Sequence, residues 1–137
     1  MSTQQEMART AEAGATPAAV DTPAMIGIGL LAATIAIHTT ELSGKIGETM
    51  YLGAGYVVLI AASIVSIVLI AQHDRRGWLF GLITCAATLI GFTLTRTIGL
   101  PGATGDIGNW GETIAVWSLV SEVGFVGLAA WVLGRRR

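Results

Sequence analysis

The chain has 137 residues, 53% hydrophobic and only 12% charged, against about 25% charged in a soluble domain, so an ordinary soluble domain is excluded and lipid is the expected surrounding. A net charge of -1, with no basic surface long enough to follow a phosphate backbone, excludes nucleic acid as a partner. Cys85 is the single cysteine, which excludes an intramolecular disulfide and any cysteine-built metal cluster.

Residues 1–23 are rich in Ala, Thr, Gln and Glu and contain Pro17 and Pro23. They carry too little apolar surface to offset the entropy of ordering, so a disordered cytoplasmic tail is expected. The stretch ahead of the first apolar run is long and mixed in charge, unlike a secretory signal. An uncleaved first span is therefore expected.

Four apolar runs follow, at about 24–42, 50–72, 78–98 and 110–133, each close to the roughly 20 residues that cross a bilayer. Pro23 suits the start of the first helix. Residues 43–49 read as a short linker, and Tyr51 and Tyr56 read as interfacial anchors of the second span. The hinge 73–77 is short, so spans two and three are expected to be antiparallel neighbours. Gly99 and Pro101 end the third span. Asn109 with Glu112 matches a capping box for the fourth. The expected fold is all-α, a four-transmembrane-helix antiparallel bundle over 24–134 with a basic end at 135–137. Even span number puts both termini on one side, with Arg9, Arg75, Arg76 and Arg135–Arg137, against Lys45 and Arg96 on the other. The positive-inside rule then assigns both termini to the cytoplasm and the chain to the cytoplasmic (inner) membrane.

Small residues recur at helical spacing on span three (Gly81, Thr84, Thr88, Gly91, Thr95) and span four (Gly111, Ala115, Ser118, then Ala129). The expected reading is a pair of packing seams, since small residues let helices approach closely in lipid.

Glu122 is the only charge in 113–133, about a dozen residues from both Trp110 and Arg135. At about 1.5 Å per residue it lies near the middle of the hydrocarbon layer, where a lone carboxylate is costly and marks function by default. Counting residues from the span ends places Thr34, His38, Thr88 and Ser118 at similar depth, so His38 and Glu122 are expected to interact. Ser63 and Ser66 approach from the inner side. Glu41 follows His38 by one turn and points toward the exit. Lys45, Glu48, Arg96, Asp106 and Glu112 form an outer ion-pair layer. Arg96 is too far above Glu122 to reach it and is expected to pair with Glu48, Asp106 or Glu112. If any metal binds, His38, Glu41 and Glu122 are the candidate ligands, although no close-spaced ligand pair supports one.

Recurrent catalytic motifs are absent, including the nucleophile elbow, the phosphate loop and the dinucleotide fingerprint. The run Thr95-Arg96-Thr97-Ile98-Gly99-Leu100-Pro101-Gly102, followed by Asp106-Ile107-Gly108-Asn109-Trp110-x-Glu112, resembles a group of small four-span bacterial integral membrane proteins of unknown function. His38-x-x-Glu41, Tyr51-Leu52-Gly53, the 74–77 turn and Glu122 share in that similarity. The resemblance covers 25–133 and implies four helices, but it implies no activity.

The expected function is a membrane protein with an outward-facing polar intramembrane site that handles a small ligand, a cation or a proton. The alternative is an accessory or structural subunit of a larger membrane complex. Lipid is the expected partner, with a homo-oligomer or complex subunits as further partners, and no cofactor is indicated.

Overall fold

The computed structural model describes residues 2–14 and 18–135. Residues 1 and 15–17 of the expected tail, and Arg136 and Arg137 of the basic end, lie outside them. The described chain forms five helices: α1 (Thr3–Ala13), α2 (Thr22–Glu48), α3 (Met50–Ala71), α4 (Arg75–Thr97) and α5 (Thr113–Gly134).

The tail expected to be disordered is helical in part. Its Gln, Glu, Met, Ala and Arg residues are good helix formers, and Thr3–Ala13 is helical, although residues 3–10 remain exposed. The expected linker 43–49 is also helix, up to Glu48. Only Thr49 is extended, and its side chain caps α3 by accepting a hydrogen bond from the Leu52 N–H at 3.4 Å. Helix α2 is therefore about 40 Å long at ~1.5 Å per residue, and its last turn carries Lys45 and Glu48.

At the opposite end Asp21 caps α2 through the Ala24 N–H (3.0 Å), and Asp74 caps α4 through the Arg76 N–H (2.9 Å). The α3–α4 turn is tight enough that a Cβ on Gly77 would lie 2.7 Å from the Ile70 backbone nitrogen. The expected capping box at 109–112 does not form. Helix α5 starts at Thr113, and the Glu112 side chain makes no capping hydrogen bond; it is engaged by Arg96 instead.

Helices α2 to α5 are each long and apolar enough to cross a membrane. Each packs on the next in sequence, and α5 closes the ring against α2, giving the antiparallel four-helix bundle. Residues such as Val57, Val65, Ile90, Val120 and Val123 face outward, as lipid contact requires. The main apolar cluster lies in the half of the bundle that holds the two termini. It contains Ala24, Leu31, Ile70, Trp78, Cys85, Phe125 and Ala129. Phe125 is its centre, fully buried and stacked on Trp78 at 5.7 Å between ring centroids. Cys85 is buried among these residues, as a small apolar side chain would be.

Candidate functional site

The other half of the bundle is not filled. A cavity of about 620 Å³ lies between the helices there, under the loop 98–112, within the roughly 300–1,000 Å³ usual for ligand pockets. Its lining includes His38, Glu41 and Lys45 of α2, Thr88 and Arg96 of α4, Ser118 and Glu122 of α5, and Asp106 and Glu112 of the loop.

His38 and Glu122 are the deepest residues that α2 and α5 contribute to this wall. Both are buried, and His38 Nε2 lies 3.5 Å from Glu122 Oε1, so the expected core pair is formed. The second ring nitrogen fixes the tautomer. Nδ1 lies 2.9 Å from the Thr34 carbonyl, and a carbonyl only accepts, so Nδ1 carries a proton. Nε2 is therefore the nitrogen that titrates, and it is the one that faces the carboxyl. A separation of 3.5 Å is longer than the usual 2.7–3.2 Å of an N–H···O bond, so the two groups face each other in a long, weak contact. Ser118 donates to the same Oε1 at 3.2 Å. Tyr56 completes the wall, with its ring 4.9 Å from the imidazole and its hydroxyl donating to Glu41 Oε2 at 3.4 Å.

The pair is sealed from the termini end. One turn below His38, the fully buried Thr34 hydroxyl shares a hydrogen bond of 3.1 Å with that of Ser121, and Phe125 and Leu31 fill the space beyond. Thr34 thus supports the site through its carbonyl and does not line the cavity, a correction to its place among the candidate site residues. Ser63 and Ser66 are also buried, with hydroxyls that have no partner.

At the loop end the ion-pair layer closes around Asp106. Its Oδ2 receives Lys45 Nζ at 2.9 Å and Arg96 Nη1 at 2.8 Å. Lys45 also pairs with Glu48 at 2.8 Å, and Arg96 with Glu112 at 3.0 Å. Arg96 therefore takes two of its three expected partners, and Glu48 belongs to Lys45. The loop is held in place by the Gly108 N–H donating to the Arg96 carbonyl at 2.9 Å and by the Tyr51 hydroxyl donating to the Pro101 carbonyl at 2.7 Å. Gly99 and Gly108 turn it with positive φ, 74° and 78°, which a side chain would resist.

The candidate metal set is not assembled. Glu41 turns to Tyr56, and no group of three or more His, Cys, Asp or Glu side chains able to hold a metal exists among the described residues. The packing seam on α4 is also corrected. A Cβ at Gly81 would lie 2.6 Å from Phe125, so close packing holds there. At Gly91 a Cβ would meet nothing within 4 Å. Thr84, Thr88, Gly91 and Thr95 line the cavity instead, as do Ala115 and Ser118 of α5. Tyr56 and Ser121 were not singled out as site residues from the sequence. Tyr56 reads equally well as an interfacial anchor, and Ser121 carries no signal apart from its place one residue before Glu122.

No family model matches the chain, and neither does any curated protein or any solved structure.

Proposed function

We infer that this chain is a multi-pass protein of the cytoplasmic (inner) membrane that binds a small ligand in an intramembrane cavity and exchanges a proton with it through His38 and Glu122. Both termini are cytoplasmic in this reading, which rests on the excess of arginines at their end. The end of the cavity under the loop 98–112 then faces outward.

The observation that carries the reading is the 3.5 Å approach of His38 Nε2 to Glu122 Oε1 inside a cavity closed toward the termini. With Nδ1 already protonated, the two facing atoms have one proton to divide. It rests on the carboxyl, giving a neutral pair, or on Nε2, giving an ion pair. Either form has no net charge, so the pair is tolerable in a low-dielectric setting where a lone carboxylate is not. A ligand in the cavity that offers a donor or an acceptor to either group shifts the proton one way or the other. The packed core below closes the site toward the termini, which suits a binding site and not a through-channel.

The test is infrared spectroscopy of the protein reconstituted in vesicles, scanned between about pH 5 and 8, where an imidazole ordinarily titrates. A carboxyl band that titrates, shifts in His38→Gln and disappears in Glu122→Gln is the expected result. Glu122→Gln keeps a hydrogen-bonding side chain beside Ser118, so its stability should lie within about 1 kcal/mol of the parent. A variant that no longer folds, or a band that ignores His38, would assign the pair to architecture and sink the reading.

A further inference from the structure

The cavity has a second, apolar part that the His38–Glu122 pair does not use. Along α4 its lining runs from Arg96 down to Phe80, about 24 Å at ~1.5 Å per residue. The facing wall is α3, with Gly55, Val58 and Ala62. This slot reaches further toward the termini than the polar chamber does. It also opens sideways: Val58, Phe80 and Ile83 line the cavity and are yet 67%, 43% and 59% exposed on the lipid-facing surface. No side chain blocks the gap at Gly55 or Gly91, where an added Cβ would meet nothing within 4 Å.

The chemistry at the head of the slot is specific. Lys45 and Arg96 are already matched by Glu48, Asp106 and Glu112, so an anionic head would add to three carboxylates set against two cations. The polar atom left over is a donor: Arg96 is 6% exposed, and its Nε has no partner. A buried donor without an acceptor is costly, and an ammonium head could not supply one.

We propose that the cavity binds a single-chain amphiphile, which enters from the lipid between α3 and α4 with its chain in the slot and an uncharged, oxygen-bearing head in the polar chamber. The head accepts from Arg96 at the loop end of the polar chamber, whose opposite end is the His38–Glu122 pair. A long-chain alcohol and a prenylated quinone share this chemistry. The proposal names the ligand class for the site inferred above and rests on that reading.

Photolabelling in phospholipid vesicles tests it, with diazirine derivatives of a long-chain primary alcohol, of a prenylated quinone and, as a two-chain control, of phosphatidylcholine. Labelled residues are mapped by mass spectrometry. One single-chain probe should label residues 55–62 and 80–91, compete with its own unlabelled form, and identify the head group. Labelling should fall roughly tenfold, equivalent to about 1.4 kcal/mol of affinity, in Gly91→Phe. Gly55→Leu fills the slot from the opposite helix and gives the same readout if the first variant does not fold. Labelling equally dense on the outward Val65, Val120 and Val123, slot labelling that survives both variants, or labelling of the slot by phosphatidylcholine alone would overturn the proposal. The infrared titration is read on the same samples. A titrating pair beside an unlabelled slot overturns the amphiphile and leaves the ligand site standing. A labelled slot beside a silent pair supports the amphiphile and removes the proton-exchange role.

Discussion

Asp106 joins the two cations of the loop end through one oxygen, with Lys45 at 2.9 Å and Arg96 at 2.8 Å. Burial pushes its carboxyl up, but the hydrogen bonds and charges of Lys45 and Arg96 outweigh burial and hold it below its ordinary value. A carboxyl lowered by folding adds stability above its unfolded pKa, about 3.9, and that stability is lost as pH falls through the folded value. The loop end should therefore loosen as pH falls below about 4, as hydrogen exchange of residues 98–112 would report. Asp106→Asn should lose this acid step, and at neutral pH it should cost about 1–3 kcal/mol, since a buried arginine loses a charged partner. An acid step unchanged in the variant would move its origin elsewhere. Residue depth was legible here because helix rise is constant. It placed His38 beside Glu122 and kept Arg96 away from both. The choice among carboxylates was not legible, because Glu48, Asp106 and Glu112 all lie at one level and side-chain reach decides between them. Glu112 illustrates this: Asn109 and Glu112 have capping spacing, yet the guanidinium of Arg96 holds the carboxylate.

Among the elements, α4 carries one stripe of small residues with two uses. Near its start, Gly81 gives way to the Phe125 ring, while Gly91 borders open space. The sequence cannot separate these uses, since a small residue permits close approach and equally leaves a void; the bulky partner on α5 decides. The same substitution should therefore have opposite signs at the two positions. Gly81→Ala should destabilise by about 1–3 kcal/mol through overpacking. Gly91→Ala should be neutral or stabilise by about 0.5–1 kcal/mol, the helix advantage of Ala over Gly. Unfolding in mixed micelles measures both, and equal effects would contradict the division of the stripe. Element boundaries follow the same pattern. Spans two and three were legible to within a few residues from apolar run length, whereas α2 runs through the expected linker because Lys45 and Glu48 lie one turn apart and Gly44 and Gly47 do not break the helix.

At the scale of the whole molecule, four apolar runs, with short connections between the first three, were enough to give the bundle. Its asymmetry was not legible: one half is closed by Phe125, Trp78 and Leu31, and the other is hollow. Only the facing of helices across the ring distinguishes the halves, and that depends on rotation of each helix about its axis, which residue depth does not fix. The hollow half should be reached by water from the end holding the loop 98–112 and not from the end holding the termini, which the packed core closes. Thr88→Cys tests it most directly, because Thr88 lines the cavity and Cys85, three residues away, is buried and serves as a silent internal control. A membrane-impermeant maleimide is added to either face of oriented vesicles. The Thr88→Cys thiol should react from the loop side alone, well ahead of Cys85; reaction from the termini side, or none faster than Cys85, would mean that the termini end is open or the hollow half is dry.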